Sequence, residues 1–107
     1  MLPSSRRLRA SEVRVIIATG RSIRGEYLSA KYRLASGPFR SAIVVSKKLA
    51  KTAVMRNRLR RWTYNALTQQ PFPKGIEVVI FIQKKPTIAP VSALVRDLTH
   101  LCSKLSS

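Results

Sequence analysis

Acidic residues are scarce in this chain. Its 107 residues include 21 Lys and Arg but only 4 Asp and Glu, so the net charge is +17. A compact domain with this charge repels itself unless a polyanion neutralises it, which points to RNA, DNA or an anionic membrane surface as the partner. The hydrophobic content of 45% is too high for a disordered basic tail. We therefore expect one folded domain over residues 1–107 that binds a polyanion.

Long apolar runs and metal-ligand residues are also missing. The longest apolar runs, Ala42–Val45 and Val78–Ile82, are too short to span a bilayer. The basic segment Met1–Ala10 leads into no apolar signal-peptide core, so we expect a cytoplasmic protein with no membrane partner. One cysteine and one histidine exclude an internal disulfide and leave too few ligands for zinc. Cys102 is predicted to be an inert buried thiol and His100 a surface helix residue.

Carboxylates are too few and too scattered for a self-sufficient nuclease. Metal-dependent phosphodiester cleavage normally needs clustered acidic ligands. The four carboxylates lie on separate predicted elements; they are Glu12, Glu26, Glu77 and Asp97. The sequence therefore assigns no catalytic residue and no metal site to the protein itself.

The N-terminal half is predicted to begin with a basic, mobile arm over Met1–Arg9. Ser11 can cap a helix over Glu12–Thr19, which Gly20 ends. The inward side chains of this helix are Val13, Ile16 and Ile17. The segment Gly25–Leu34 alternates as a half-buried strand, with one face formed by Leu28, Ala30, Tyr32 and Leu34. Phe39–Ser46 reads as a more fully buried strand.

The C-terminal half is predicted to form helix, strand and helix. The first helix covers about Thr52–Gln70 and is broken by the prolines and glycine that follow. Ile76–Gln83 is a buried strand rich in β-branched residues, and Pro90 can occupy the first turn of the last helix. With one further strand before the basic helix, the order is α-β-β-β-α-β-α. This predicts an α+β fold, a small single-domain α/β sandwich with helices packed on one sheet.

The segment from Ser46 to Trp62 holds seven cationic side chains in seventeen residues and still keeps a helical apolar stripe. At helical spacing, one face carries Met55, Leu59, Trp62 and Ala66. The opposite face carries Arg56, Asn57, Arg60, Arg61 and Tyr64. A flexible tail would have no such stripe, so this helix is expected to dock on a core and present planar guanidinium groups to phosphate.

Several residues of this helix have a second interpretation. Trp62 is expected in the core, whereas the role of Tyr64 is left undecided. Asn57 could cap local backbone groups, and Arg58 could stack on the Trp62 indole, instead of contacting RNA.

The run Ser46-Lys47-Lys48, followed by Ala53-Val54-Met55-Arg56-Asn57-Arg58-Leu59-Arg60-Arg61, resembles the signature of the protein subunit of bacterial ribonuclease P. The likeness extends to residues 7–9, 20–27, 40–45 and 77–80, and so covers most of the chain. It implies a ribonucleoprotein that removes the 5′ leader of precursor tRNA. The catalytic RNA subunit would carry the active site and its Mg²⁺, the protein would bind no cofactor alone, and no protein partner would be required. It also implies a left-handed β-α-β crossover, against the usual rule.

The resemblance also implies site residues. The RNA contacts that it transfers are Lys47, Lys48, Arg56, Asn57, Arg58, Arg60 and Arg61, with Lys51 added from the variable spacer. The family's leader-binding cleft corresponds here to Val13, Ile17, Tyr27, Lys31 and Arg33. This chain departs from the family there, because Val13, Ile17 and Lys31 stand where aromatic residues are common. Phosphate contacts from Tyr27, Lys31 and Arg33 could replace part of the base stacking.

A noncatalytic, ribosomal-type RNA-binding protein is the alternative. Its composition would be equally basic. The motif discriminates between the two, since a generic ribosomal protein has no reason to hold the Ser-Lys-Lys and Arg-Asn-Arg run between a strand and a helix.

Overall fold

The computed structural model describes residues 7–67, 74–83 and 90–106. The predicted order α-β-β-β-α-β-α is confirmed. The elements are α1 (Ala10–Thr19), β1 (Arg21–Arg24), β2 (Leu28–Leu34), β3 (Arg40–Val44), α2 (Ala53–Leu67), β4 (Ile76–Ile82) and α3 (Pro90–Ser106). The predicted last turn of α2, residues 68–70, and the proline break after it lie outside the described residues.

The four strands form one sheet in the order β1-β2-β4-β3. β2 is antiparallel to both β1 and β4, while β3 runs parallel to β4. The chain between β3 and β4 contains α2, so this helix belongs to the crossover that parallel strands require. The hand of the crossover stays a prediction.

β4 lies in the centre of the sheet, and its continuous apolar run is buried as predicted, except at the half-buried Phe81. The strand at β3 is more fully buried than β2, as predicted, although Ala42 and Val44 are only half-buried. β3 is an edge strand, and only its face toward α2 and α3 is closed. Leu34 was predicted to share a face of β2 with Leu28 and Ala30, which are buried, but it is itself 80% exposed, since it lies at the end of the strand.

The main core lies between one face of the sheet and the pair α2 and α3, which pack on each other. Its members come from the sheet and from both of these helices; among them are Leu28, Ile43, Leu59, Ile80, Leu94 and Leu98. α1 packs on β2 and β4, and Ile16 and Val79 are fully buried outside the main core. The sheet therefore has two covered faces, of which the α1 face is the less completely covered.

The start of α1 differs from the prediction. Arg9, rather than Ser11, occupies the N-cap position, and its backbone N–H donates to Oε1 of Glu12 at 2.9 Å. Glu12, the third residue of the helix, thus accepts the N–H of the N-cap residue, as the glutamate of a capping box does. Gly20 follows the last helical residue, as predicted, and its N–H donates to the carbonyl of Ile16 at 2.7 Å.

Three residues of the predicted mobile arm are described, and two of them, Arg7 and Leu8, are attached to β3. The Leu8 N–H donates to the Ser41 carbonyl at 3.0 Å, and Arg7 forms an isolated parallel bridge with Ser41. The Arg40 guanidinium also donates to the Arg7 carbonyl at 3.3 Å. These contacts place the end of the arm beside the strand that leads to the basic segment.

The turn between β1 and β2 is organised by Asp97 of α3. Its carboxylate accepts three backbone N–H groups, from Glu26 at 2.8 Å, Tyr27 at 3.1 Å and Leu28 at 2.7 Å. A Cβ on Gly25 would lie 2.4 Å from Oδ1 of Asp97, so only glycine leaves room for this approach. Asp97 thus ties the turn to α3.

Candidate nucleic-acid interface

Helix α2 turns an apolar face to the core and a basic face outward, as its periodicity predicts. Leu59 and Ala66 are fully buried, while Asn57, Arg58 and Arg61 are exposed. The buried face is wider than predicted and extends toward Thr63 and Leu67. The buried Thr63 hydroxyl donates to the Leu59 carbonyl at 2.8 Å, which satisfies it inside the helix.

The two aromatic residues of α2 both pack against the main core while remaining half-buried. For Trp62 this agrees with the prediction, although part of its indole stays exposed. Tyr64, which the helical wheel put on the basic face, is also drawn to the core because α2 contacts both the sheet and α3. Burial raises the pKa of the Tyr64 hydroxyl, against the opposing effect of Arg7 and Arg60.

The loop before α2 is held by hydrogen bonds at both ends. The Ser46 hydroxyl accepts the Leu49 N–H at 3.2 Å, and the Ser46 carbonyl accepts the N–H of Ala50 at 3.2 Å. Arg56 reaches back from the helix and donates to the carbonyls of Ala50, at 3.0 Å, and Lys51, at 3.3 Å. An ordered loop presents its lysines at a smaller entropic cost than a mobile one.

The predicted RNA-binding residues form one stretch along this loop and helix, with two different environments. Five of them are exposed cations: Lys47, Lys48, Lys51, Arg58 and Arg61. Arg56 and Arg60 are half-buried, and Arg60 donates to the Asn57 amide oxygen at 3.1 Å. Arg56 shapes the loop and the Asn57–Arg60 pair orients one guanidinium, while the five exposed cations lie open to a polyanion.

The predicted leader-cleft residues are only partly brought together. Val13 and Ile17 are half-buried on α1, and the Lys31 ammonium on β2 donates to the Ile17 carbonyl at 2.8 Å. Tyr27 precedes β2 and packs against the main core. Arg33 donates to Glu77 at 2.7 Å, so its guanidinium is already paired with a buried carboxylate.

An ion-pair network that the sequence did not predict joins α1 to the sheet. Arg40 of β3 lies between two carboxylates, 2.6 Å from Oε1 of Glu12 and 3.0 Å from Oε2 of Glu77. Arg33 pairs with the other oxygen of Glu77. The sheet register places both Arg33 and Arg40 beside Glu77, on neighbouring strands. Glu12 and Glu77 looked unrelated in sequence because α1, β3 and β4 are far apart along the chain.

Arg40 changes the protonation of Glu12. The hydrogen bond from its guanidinium is the main reason that the pKa of the Glu12 carboxyl falls from 4.5 to about 2. The pKa of Arg40 is raised in turn, chiefly by Glu12. Within the described residues, no group of three or more His, Cys, Asp or Glu side chains could hold a metal ion.

We expect the ion pair between Glu12 and Arg40 to stabilise the fold in a pH-dependent way. Because the folded pKa of Glu12 lies below its usual 4.5, its stabilising effect is complete above pH 4.5 and is lost as the pH falls toward 2. Glu12→Gln should therefore be less stable than the parent protein near neutral pH, and the difference should shrink in acid. Urea unfolding at several pH values measures it.

Arg40→Gln supplies the control for this experiment. Without the guanidinium, Glu12→Gln should lose its pH-dependent effect on the free energy of unfolding. An equal stability difference at neutral and acid pH, in the presence of Arg40, would show that the pair does not act through the Glu12 charge.

The α1 face of the sheet holds two open cavities of about 380 and 370 Å³. Phe81 and Gln83, at the end of β4, line both of them. The sequence did not predict that Phe81 would be partly exposed, because it lies within a continuous apolar run that is typical of a fully buried strand. None of the helices in the described ranges is long and apolar enough to cross a membrane.

The sequence matches a known family over nearly its whole length. The profile of the Ribonuclease P family covers residues 2–106. The ribonuclease P protein component of Pseudanabaena sp. (strain PCC 6903) is 34% identical over 109 residues, which cover 97% of this chain and 94% of that protein.

Solved structures agree with this match. The RNase P protein from Thermotoga maritima superposes with a TM-score of 0.80 at 26% identity, covering 92% of this chain and 96% of that one. The RNase P protein from Staphylococcus aureus gives a TM-score of 0.74 and covers 98% and 92%. At 18% identity that second likeness shows the fold alone. The chain belongs to the ribonuclease P protein family.

Proposed function

We propose that this protein binds the catalytic RNA subunit of bacterial ribonuclease P and helps it to remove the 5′ leader of precursor tRNA. The observation that carries the proposal is the row of five exposed cations on one ordered loop and helix, described above. The second partner is the precursor tRNA, whose leader would contact the α1 face of the sheet. The proposal includes a cytoplasmic location and requires no protein partner.

The geometry of the basic segment suits a folded RNA. Leu59 and Ala66 anchor α2 on the core, so Arg58 and Arg61 project from a rigid support. Each phosphate that such a side chain neutralises releases bound counterions, which supplies affinity without base specificity. A planar guanidinium can bind two phosphate oxygens at once, which adds orientation to that affinity.

In this proposal the chemistry belongs to the RNA. Three of the four carboxylates are already engaged: Glu12 and Glu77 by guanidinium groups, and Asp97 by three backbone N–H groups. Among the described residues, these carboxylates therefore do not fit a Mg²⁺ site of the protein. Mg²⁺ would bind the RNA, where it would supply electrostatic stabilisation for phosphodiester cleavage. The protein would contribute binding and orientation of the two RNAs.

Reconstitution tests the proposal. Adding the protein to ribonuclease P RNA at low Mg²⁺ should stimulate cleavage of precursor tRNA, whereas rigorously RNA-free protein should cleave nothing.

The salt dependence of RNA binding tests the electrostatic part of the proposal. A plot of the logarithm of the association constant against the logarithm of the salt concentration should have a slope of roughly −3 to −5, taking about 0.7–0.9 per phosphate contact for about five contacts. Arg61→Ala should reduce the magnitude of that slope by about one.

Arg96→Ala is the matched control, since it removes the same charge from an exposed position on α3. It should leave the salt dependence unchanged. Cleavage by the protein alone would show that the protein is itself catalytic. RNA binding without stimulated cleavage would favour a ribosomal-type RNA-binding protein.

A further inference from the structure

A third cavity lies at the end of the sheet where β1 begins and β2 ends. Its volume is about 360 Å³, which falls in the range of small-ligand sites. The side chains that line it include Arg21, Tyr32, Leu34 and Lys104. The strand register places Arg21 opposite Tyr32, so these two side chains lie on the same face of the sheet. α3 packs on β1 and β2, and its last turn supplies Lys104.

The lining of this cavity is cationic. Arg21 and Lys104 are both exposed, and none of the described residues that line the cavity is acidic. A third cation, Arg33, also lines it, but its guanidinium already pairs with Glu77 at 2.7 Å. An anion in the cavity would therefore lie near two positive side chains that project from different elements. Such a pair can bind the oxygens of one phosphate group from two sides.

Apolar surface lies beside these cations. Leu34 is 80% exposed, more than any other large hydrophobic residue in the described part of the chain. Tyr32 lies two residues earlier on the same face of β2 and is half-buried against the main core. A nucleotide offers a phosphate together with a ribose and a base, and the latter can pack on apolar and aromatic side chains. The lining therefore fits a nucleotide better than a free inorganic anion, which would leave Leu34 uncovered.

The cavity is remote from the basic face of α2. β1 and β3 form opposite edges of the sheet, three strand spacings or about 14 Å apart. α2 packs on β3 and on α3, whereas α3 packs on β1 and β2. Because α3 lies between the cavity and α2, a single phosphate bound to Arg58 or Arg61 cannot also reach Arg21. RNA that fills the cavity must arrive as a second segment.

We infer that this cavity is a second RNA-binding site, in which Arg21 and Lys104 bind one phosphate while Leu34 and Tyr32 contact the adjoining ribose or base. The inference rests on the proposed function, which supplies RNA as the partner. The site is separate from the basic helix and from the two cavities beside Phe81. The RNA segment belongs to the catalytic RNA or to the folded body of the precursor tRNA, which share this nucleotide chemistry. The protein would then hold two RNA segments on opposite sides of α3.

Substitution of Lys104 in the reconstituted holoenzyme tests the electrostatic contact. Lys104→Gln should lower the magnitude of the slope of log association constant against log salt concentration by about 0.7–0.9, the value for one phosphate contact. The loss of affinity should therefore shrink about 3-fold as salt rises from about 50 to about 200 mM. Arg96→Gln is the matched control, because it removes the same charge from an exposed position on the same helix that does not line the cavity. It should not change the slope.

Two further substitutions test whether the cations and the apolar surface form one site. Arg21→Gln should act as Lys104→Gln does, and the double variant should lose less affinity than the sum of the two, since both side chains bind one phosphate. Leu34→Ser should weaken binding roughly 4-fold or more, corresponding to at least one buried CH₂ group, and equally at all salt concentrations. Leu34→Met should bind as the parent protein does. All these side chains except that of Tyr32 are exposed, so the melting temperatures of the variants should stay close to that of the parent.

Two binding assays identify the RNA. Weaker binding of the variants to the catalytic RNA alone assigns the site to that RNA, whereas a loss confined to binding of a precursor with a one-nucleotide leader assigns it to the tRNA body. The inference would be overturned by equal effects of Lys104→Gln and Arg96→Gln, by additive effects of Arg21→Gln and Lys104→Gln, or by unchanged binding of Leu34→Ser. A loss seen only with long leaders would also overturn it, because the cavity would then belong to the leader path. Failure of the proposed function looks different, since the parent protein would then fail to stimulate cleavage by ribonuclease P RNA at all.

Discussion

Replacing Leu59 with alanine is expected to lower the free energy of unfolding by about 2–5 kcal/mol. Leu59 has no exposed surface and belongs to the main core between the sheet and the pair α2 and α3. Shortening it leaves a cavity that these layers cannot close completely. Small domains are typically stable by only about 5–15 kcal/mol, so a loss of this size removes a large part of the total. Urea unfolding followed by circular dichroism measures it.

Arg61→Ala is the partner experiment on the same helix. Arg61 is exposed on the opposite face, so its removal should change stability by no more than about 0.5 kcal/mol while weakening RNA binding. If Arg61→Ala unfolded the protein and Leu59→Ala left it stable but unable to bind RNA, the assignment of the two faces of α2 would be reversed.

Trp62 is the largest side chain on the predicted apolar face of α2, but Leu59 is the better residue to substitute when the stability of the core is measured. The Trp62 side chain packs against the core but remains half-buried, so its truncation removes both core contacts and surface contacts. Leu59 is fully buried, so the loss of stability caused by Leu59→Ala can be attributed to lost core packing alone.

Replacing Asp97 with alanine is expected to cost about 3 kcal/mol or more. Three backbone N–H groups of the turn between β1 and β2 would lose their acceptor, and a buried donor without a partner costs about 1–3 kcal/mol. The Leu28 N–H is the most deeply buried of the three, so it is the least able to bond water instead. Thermal and urea unfolding of the variant measure the loss.

Gly25 provides the control, because its closest neighbours are the carboxylate atoms of Asp97. Gly25→Ala alone should be destabilising, since the new Cβ would lie 2.4 Å from Oδ1 of Asp97. In the Asp97→Ala background the same substitution should cost much less, because the clashing group is gone. Additive effects of the two substitutions would show that Asp97 does not hold this turn in the way described.

Sequence periodicity was sufficient for the long elements. The apolar spacing of α2 and α3 reflects one covered face on each helix, and the continuous apolar run of β4 reflects burial on both faces of the sheet, so a linear pattern records both directly. β1 was not located, because it is a short edge strand with three exposed residues of four and no apolar alternation. The apolar run of β3 predicted a more fully buried strand, but it did not reveal that the face with Ala42 and Val44 is only half-buried.

By itself, the sequence determined the charge, the order of the elements and the two faces of the basic helix, since each of these depends on residues close together along the chain. The tertiary structure alone decided which distant residues meet. Arg33, Arg40 and Glu77 come together through strand register, Glu12 through the docking of α1, and Asp97 reaches Gly25 across the fold. Phe81 lies open for the same reason, because exposure depends on which part of the sheet a helix from elsewhere in the chain covers.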